Sequence, residues 1–318
     1  MSEKIPEITH QRIHYNSLSN YLQQEYGEKL YKLTLSSGCT CPNRDGKCGA
    51  GGCIFCSSGG SGEFAAPNTL TLDEQIQIAK ERISGKPHSD KYIAYFQSFT
   101  NTYGDLKHLS DLYNAVALRP DISVISIATR PDCLDDDVLR MLAEVKQKKP
   151  VWVELGLQTS NPDSARYIRR GYENEVYKRA VEKLNEAGIK VITHVIIGLP
   201  GETFEDYSET VKYACDCGTW GLKLQLLHVL EGTDLASDYY SDKVPLLTME
   251  EYVDVICRLI EMIPPDVVIH RLTGDGQKKI LIAPKWSGDK KRVLGTLAYE
   301  MQKRNIKQGH MWKTNKKR

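Results

Sequence analysis

The sequence predicts an α/β protein built as a partial (β/α) barrel, with short extensions at both ends of the chain. From Tyr92 onward, apolar runs alternate with helical patterns at about 30 to 40 residues per unit, the repeat of βαβ units in a parallel sheet. ISVISIA and VITHVIIG are almost continuously apolar, as strands buried on both faces are. Seven strand-like runs favour a full or partial barrel over an open doubly wound sheet.

The individual elements follow from local periodicity and turn residues. The predicted strands are KLYKLTL, YIAYFQ, ISVISIAT, VWVELGLQ, KVITHVIIG, LKLQLLHV and VVIHRL. Helical periodicity predicts helices at 13–26, 72–83, 106–117, 134–146, 175–187 and 204–214. Gly188 directly follows the helix at 175–187, in the position where glycine commonly ends a helix.

Composition places the chain among globular proteins. Its 318 residues are 41% hydrophobic, which is enough for a large buried core. The 42 basic and 41 acidic side chains leave a formal charge of +1, so the total charge does not indicate a polyanionic partner. The charge is uneven, however, because 303–318 contains seven basic and no acidic residues, which leaves about −6 for the rest.

The sequence predicts a cytoplasmic protein with no membrane partner. The N-terminus lacks the apolar segment of a signal peptide, and nowhere do 18 or more uncharged apolar residues run together. Thiols stay reduced in the cytoplasm, so the nine cysteines favour metal binding or catalysis over a disulfide framework. The sequence does not predict the oligomeric state.

Five of the nine cysteines lie in one glycine-rich loop after the first predicted strand: Cys39, Cys41, Cys48, Cys53 and Cys56. The sharpest subset is Cys41-x11-Cys53-x2-Cys56. A zinc site needs four ligands, which Cys39 or Cys48 could complete. Three thiolates on an iron–sulfur cluster would instead leave one iron open to a ligand. The spacing alone leaves both alternatives open.

Polar side chains follow almost every predicted strand. The strand ends read QSFTN, TRPD, ELGLQ, HVIIG, His228 and His270-Arg271. The carboxyl ends of parallel strands meet at one rim, where barrels and doubly wound sheets bind their ligands. This pattern favours an enzyme, although exposure of the loops alone would also make strand ends polar.

Eight motifs, spread in order from Cys41 to Gly276, resemble a known family. They are CPNRDG, GGCIFC, YFQSFTNT, ISIATRPDCL, VELGLQT, GLPGET, LLHVLEGT and HRLTGDG. With these motifs the chain resembles radical S-adenosylmethionine (SAM) enzymes of the YtqA/YhcC type, within the group similar to the catalytic subunit of Elongator. The x11 spacing departs from the Cys-x3-Cys-x2-Cys of most radical SAM proteins but matches the YtqA/YhcC and Elongator-like members.

The resemblance implies that Cys41, Cys53 and Cys56 hold a [4Fe-4S] cluster whose fourth iron is chelated by the amine and carboxylate of SAM. Reductive cleavage of SAM would then give a 5′-deoxyadenosyl radical that abstracts hydrogen from the substrate. A protein such as flavodoxin or ferredoxin would be the reductant. Cys39 and Cys48 are then bystanders, and a single cluster is expected. The other four cysteines are interpreted as mostly buried small apolar residues: Cys133, Cys215, Cys217 and Cys257.

The resemblance also implies which residues bind SAM. Residues 97–101 take the place of the turn that meets the methionine amine, and Gln158 takes that of a ribose contact. Arg170 is placed to bind the SAM carboxylate. Glu154 is a buried carboxylate that needs a partner, either a ligand hydroxyl or Arg130. The implied SAM-binding set is Gln97, Thr100, Asn101, Thr129, Arg130, Glu154, Gln158, Arg170, Ile197 and Gly198.

Three histidines near the ends of later strands are predicted to face the substrate as catalytic residues: His194, His228 and His270. Each of them alone also fits a structural hydrogen-bonding role. Elongator-like enzymes act on C5 of the tRNA wobble uridine, so the resemblance implies tRNA as a partner. No segment of acetyltransferase length follows Gly276, so rearrangement or trimming of the C5 side chain is expected over acetyl-CoA-dependent carboxymethylation.

The chain is predicted to divide into a helical extension at 1–30, a radical SAM core at 31–276 and a C-terminal helix with a basic tail at 277–318. The tail, with Trp312 as a stacking surface, is a candidate RNA contact, although a solvated tail would have the same composition. The rival enzyme hypothesis is a radical SAM enzyme for a small metabolite, closed by loops around His228 and Asp275. The rival without catalysis is a zinc-bound RNA-binding module.

Overall fold

The structure is a computed structural model that describes residues 14–60, 65–86, 89–274, 276 and 278–312. Its strands are β1 (Tyr31–Leu35), β2 (Tyr92–Phe96), β3 (Ile122–Thr129), β4 (Val151–Gln158), β5 (Lys190–Ile197), β6 (Gly221–Leu226), β7 (Val229–Leu230), β8 (Val268–Arg271) and β9 (Leu281–Ala283). Its helices are α1 (Leu18–Tyr26), α2 (Leu72–Glu81), α3 (Leu106–Ala117), α4 (Asp136–Lys146), α5 (Pro162–Tyr167), α6 (Asn174–Glu186), α7 (Phe204–Asp216), α8 (Asp234–Tyr240), α9 (Met249–Met262) and α10 (Lys290–Lys303).

Seven parallel strands form one sheet in the order β1-β2-β3-β4-β5-β6-β8, which confirms the predicted partial barrel. Consecutive strands are neighbours, as expected when each returns through an outer helix. Strands β1 and β8 are therefore the two edges, and the barrel is open between them. A short antiparallel pair, β7 with β9, lies outside this sheet.

The helices cover the outer face of the sheet with amphipathic surfaces. Helix α9 illustrates the local determinants, because Thr248 and Glu251 form a capping box at its start. Its apolar face buries Tyr252, Ile256 and Ile260 in the main core. This helix is not among the predicted ones, although the capping box and the spacing of apolar residues are both visible in the sequence.

An aromatic cluster lies at the amino ends of the strands. Trp152 near the start of β4 packs against Trp220, which directly precedes β6, with ring centroids 5.0 Å apart. Tyr21 of α1 contacts Trp220 at 4.9 Å, and His270 contacts Trp220 at 5.1 Å. Helix α1 therefore covers the end of the barrel opposite the carboxyl rim.

The C-terminal segment packs on α9 as far as the structure describes it. The Gly309 N–H donates to the Ile260 carbonyl at 3.3 Å, and the Met311 N–H donates to the Glu261 carbonyl at 2.8 Å. The Gln308 amide donates to the carbonyl of Val267, the residue before β8, at 2.8 Å. This part of the predicted tail thus lies near the amino ends of the strands, away from the rim, while 313–318 lie outside the described residues. None of the described helices is long and apolar enough to cross a membrane.

Candidate active site

A pocket at the carboxyl ends of the strands collects most of the predicted site residues. Twelve of them line it: Cys41, Cys53, Cys56, Gln97, Thr100, Thr129, Arg130, Glu154, Gln158, Arg170, His194 and His228. Four others are not among its lining residues: Asn101, Ile197, Gly198 and His270. Loop, strand and strand-end residues far apart in the chain therefore meet in one cavity, as the parallel topology requires.

Backbone hydrogen bonds shape the cysteine loop around this pocket. The Arg44 N–H donates to the Cys41 carbonyl at 2.8 Å, and the Cys56 N–H donates to the Cys53 carbonyl at 2.9 Å. Asn43 is buried and donates from Nδ2 to the Arg169 carbonyl at 2.7 Å, with Cys53 Sγ 3.5 Å away. The Arg44 guanidinium bonds the Cys56 carbonyl at 3.0 Å. These bonds hold the loop in a shape in which Cys41, Cys53 and Cys56 line the pocket, whereas Cys48 is exposed.

The donor set fits an iron–sulfur cluster. Burial, followed by the proximity of Cys56, raises the pKa of Cys53 to about 12, so its thiolate needs a strongly cationic ligand. Within the described part of the chain, no three Cys, His, Asp or Glu groups converge on one ion position. Three thiols of one loop line the same pocket, and in a cluster each of them would bind a different iron.

The turn after β2 is tied to the cysteine loop. The Phe99 N–H donates to the Gly60 carbonyl at 3.0 Å, and the Thr100 N–H donates to the Thr40 carbonyl at 3.1 Å. Phe99 has a φ of 60°, and a Cβ at Gly60 would come within 2.4 Å of its ring. Gly60 is therefore required for this close packing. The turn carries Gln97 and Thr100 into the pocket beside the cysteines.

Gln158, at the end of β4, has an unsatisfied polar group in the pocket. Its φ is 66°, and the pairing of β4 with β5 shifts between Gly156 and Gln158. Its Oε1 is buried and has no hydrogen-bond partner among the described residues. Buried amide oxygens are rarely left unpaired, so this atom fits a ligand hydroxyl such as that of a ribose.

Arg170 has a different role from the predicted carboxylate contact. It lines the pocket, but all five of its N–H donors are used within the protein. They bond the carbonyls of Tyr172, Leu157 and Thr159 and the Asn174 side chain, at 2.7 to 3.0 Å. Arg170 therefore positions the end of β4 and has no donor left for a ligand.

Arg130 combines an internal ion pair with a place in the pocket. It forms a bidentate pair with Asp132, at 2.9 and 2.8 Å, and its guanidinium lies 4.9 Å from the Tyr172 ring centroid. Thr129 shares a hydrogen bond of 2.6 Å with Thr102. The strand end at Thr129 is thereby fixed in place.

Three of the predicted SAM contacts lie behind the pocket wall. Asn101 is fully buried and donates to the Phe96 and Ala128 carbonyls, at 3.1 and 2.8 Å, which ties β2 to β3. Ile197 is fully buried in the main core. Gly198, with a φ of 95°, packs near Leu247. These residues shape the rim without lining the cavity, because their side chains or backbone are used for packing.

Glu154 is the centre of a buried charge network inside the barrel. Its carboxylate accepts from Lys32 at 3.0 Å, Ser126 at 2.8 Å and His194 at 2.8 Å, and it contacts Lys223 directly. Arg130 is not its partner, contrary to the prediction. The two lysines, which are not among the predicted site residues, come from β1 and β6. Their only sequence signal is a lysine at a core-facing position within an apolar strand.

The charges in this network control one another's protonation. Burial would raise the pKa of the Glu154 carboxyl, but the ammonium groups of Lys223 and Lys32 hold that pKa well below its usual range. Burial lowers the pKa of Lys223, against the opposite effect of the Glu154 carboxylate. Lys223 Nζ also bonds the Tyr95 hydroxyl at 3.0 Å, and Tyr95 lines the pocket. The network thus connects the barrel interior to the cavity.

The three predicted catalytic histidines do not lie in one site, because His194 and His228 line the pocket and His270 does not. Burial and the neighbouring Lys223 lower the pKa of His194 to about 4, so this pocket residue is neutral near pH 7. His228 also lines the pocket, beside Gly274, where an added Cβ would come within 2.5 Å of the imidazole. His270 does not face the pocket, because β8 directs it into the aromatic cluster between Trp152 and Trp220.

Glu202 in the GLPGET motif makes stability depend on pH. It accepts a hydrogen bond from Thr159 Oγ1, while its Oε2 is buried without a partner among the described residues. Burial raises its pKa from 4.5 to about 7. The folded state therefore binds this proton more tightly than the unfolded chain, so the contribution of Glu202 to stability is largest below pH 4.5 and is lost as pH rises through 7.

We expect Glu202→Gln to remove this pH dependence and to stabilise the protein above pH 7 by about 1–3 kcal/mol. Urea denaturation at pH 5 and pH 8 measures the difference. Glu205 is an exposed neighbour. Glu205→Gln is therefore the control and should leave the free energy of unfolding unchanged at both pH values. Parallel pH profiles for Glu202→Gln and the unmodified protein would contradict the assignment.

Two protein-family models match this chain. Residues 40–214 match the radical SAM superfamily. This chain belongs to the radical SAM superfamily. Residues 219–303 also match the radical SAM C-terminal domain. Radical SAM proteins are enzymes that use a [4Fe-4S] cluster and SAM. Cys41, Cys53 and Cys56 line the pocket described above.

The chain is similar to individual proteins in sequence and in structure. The uncharacterized protein YtqA of Bacillus subtilis is 42% identical over 93% of this chain and 92% of its own length. The tRNA uridine(34) acetyltransferase of Methanocaldococcus jannaschii is 26% identical over 58% of this chain and 33% of its own length. Among solved structures, Elp3 of Methanocaldococcus infernus superposes with a TM-score of 0.63 at 19% identity, covering 74% of this chain and 59% of that one. Elp3 of Methanocaldococcus infernus and this chain therefore share a fold over the superposed residues.

Proposed function

We propose that this protein modifies the C5 side chain of the tRNA wobble uridine by radical SAM chemistry. The observation that carries the proposal is the single pocket shared by Cys41, Cys53, Cys56 and the unsatisfied Gln158 amide oxygen. The choice of tRNA is supported by the similarity to a tRNA uridine(34) acetyltransferase. Rearrangement or trimming of an existing C5 substituent is the reaction class that we favour.

In this proposal the three pocket cysteines hold the cluster. When bound, the cluster and SAM supply a 5′-deoxyadenosyl radical that abstracts a hydrogen atom from the substrate. Gln97, Thr100, Thr129 and Arg130 lie where they can contact SAM, and Gln158 accepts from the ribose. The residues across the cavity orient the substrate: neutral His194, His228 and the Tyr95 hydroxyl.

We expect Gln158→Ala to raise the dissociation constant of SAM by about fivefold, since one buried hydrogen bond contributes about 1 kcal/mol. Equilibrium binding of SAM to the anaerobic protein measures this effect. Gln225→Ala is the matched control, because Gln225 lines the same pocket near His194, on the proposed substrate side. Equal losses for both variants would argue against a ribose contact at Gln158.

Nucleoside profiling of tRNA from a deletion strain tests the substrate directly. We expect position 34 to retain an unprocessed C5 substituent, and expression of the intact protein, but not of the Cys53→Ala variant, to restore the product. An unchanged nucleoside profile would contradict the tRNA proposal. If the purified protein still cleaved SAM, a small metabolite would become the leading substrate.

We further propose that the protein works in the cytoplasm with a flavodoxin or ferredoxin as its reductant. All nine cysteines are free thiols in the structure, as in a reducing compartment. Cell fractionation with tagged protein, together with SAM cleavage driven by reduced flavodoxin, tests both parts of this proposal.

A further inference from the structure

A groove runs along the open edge of the barrel. One wall comes from β1 and the end of α2, through residues that include Lys32, Thr34 and Arg82. The opposite wall comes from the end of β8, residues 276, 278, 279 and 287–289, and the start of α10. The groove therefore occupies the gap between the two edge strands, which the parallel sheet leaves unclosed.

The charge of this groove is strongly positive. Its basic lining residues are Lys32, Arg82, Lys86, Arg271, Lys278, Lys279, Lys290 and Lys291. Among the lining residues that the structure describes, the acidic one is Asp289, whose carboxylate caps α10 by accepting the Arg292 N–H at 3.1 Å. The charge of Lys32 is balanced by Glu154. Seven further basic side chains against one carboxylate among the described lining residues concentrate positive charge here, in a chain whose total formal charge is only +1.

The groove is continuous with the active-site pocket. Five residues line both cavities: Tyr95, Gln97, Arg271, Gly274 and Gly276. A ligand in the groove can therefore extend one group into the pocket without leaving the protein surface. The basic tail, by contrast, packs near the amino ends of the strands as far as residue 312, on the side away from the pocket.

We propose that this groove binds the RNA phosphates that flank the nucleotide entering the active site. The proposal rests on the tRNA function proposed above and assigns the surface that holds the substrate. Lysine ammonium groups bind backbone phosphates as point charges. Cations on both walls along the length of the gap suit a polyanionic strand better than a single phosphate group. A nucleotide turned out of an anticodon loop would reach the cysteine pocket through the shared residues.

The test combines four exposed lysines that take no part in the catalytic pocket: Lys278→Gln, Lys279→Gln, Lys290→Gln and Lys291→Gln. We expect the combined variant to bind an anticodon stem-loop at least tenfold more weakly at low salt. The slope of log affinity against log salt should become shallower by about 2 to 4, because each lost phosphate contact removes about 0.7 to 0.9. SAM cleavage without RNA should stay unchanged.

The matched control removes four exposed charges from the outer helices and the loop after α4: Lys107→Gln, Arg140→Gln, Lys148→Gln and Lys183→Gln. It should bind RNA like the unmodified protein. A second comparison deletes 313–318, which should change the salt slope less than the groove variant does. Thermal unfolding of each variant confirms that a loss of binding is not a loss of folding.

The outcomes separate this inference from the proposed function. If the unmodified protein binds and modifies tRNA, but the groove variant keeps the same affinity and salt slope, the groove assignment is overturned while the function stands. If the unmodified protein neither binds nor modifies tRNA, the proposed function fails and the groove assignment fails with it. Uridine monophosphate that competes as strongly as the stem-loop would also overturn a polynucleotide site.

Discussion

Replacing Cys53 by alanine is expected to abolish both the iron–sulfur cluster and the cleavage of SAM. Cys53 lines the pocket together with Cys41 and Cys56 and is held by Asn43 at the centre of the loop. With two thiolates left, the cluster loses one of its three protein ligands. Iron content and anaerobic formation of 5′-deoxyadenosine measure the effect, and both should fall to background.

Cys48→Ala is the control for this variant, because Cys48 lies in the same loop but does not line the pocket. It should retain the full iron content and SAM cleavage. Cys41→Ala and Cys56→Ala should behave like Cys53→Ala. A cluster that survives Cys53→Ala but is lost in Cys48→Ala would show that a different set of thiols holds the iron.

Glu154→Ala is expected to destabilise the protein by about 3–5 kcal/mol, because it leaves a buried ammonium group without its counterion. Lys223 is only 2% exposed, whereas the Lys32 side chain is 23% exposed and can regain water. Most of the penalty therefore falls on Lys223. Urea denaturation of the anaerobic protein measures the difference in free energy of unfolding.

Lys223→Met provides the matched comparison. It leaves Glu154 with Lys32 and His194 as partners, so it should cost less than Glu154→Ala. In the double variant the buried ammonium is gone, and the total loss should be smaller than the sum of the two single losses. Strictly additive losses would contradict a direct coupling between Glu154 and Lys223.

The sequence predicted the parallel sheet and the cysteine loop because both depend on local patterns. An apolar run such as ISVISIAT predicts a strand that is buried on both faces of a sheet. Three cysteines that follow the first parallel strand must lie at the carboxyl rim. The position of Gln158 at the end of β4 followed from the same rule. Neither inference needed any knowledge of side-chain direction.

The sequence could not predict interactions that depend on strand register and on the direction in which each side chain points. His194 and His270 both lie in late strands, but β5 directs one to the pocket while β8 directs the other to the aromatic cluster. Lys32 and Lys223 are far apart in the chain and meet only because β1 and β6 face each other across Glu154. The sequence alone cannot show that four backbone and side-chain acceptors take all five N–H donors of Arg170.

The most direct test of the proposed site is the response of the reduced cluster to SAM. We expect anaerobically reconstituted protein to contain about four irons per chain. Its electron paramagnetic resonance spectrum should change when SAM is added, and 5′-deoxyadenosine should form when a reductant is present. Binding of one zinc ion in place of the cluster would contradict the claim that Cys41, Cys53 and Cys56 hold a cluster with one open iron. A cluster spectrum that does not change with SAM, together with no 5′-deoxyadenosine, would also contradict it.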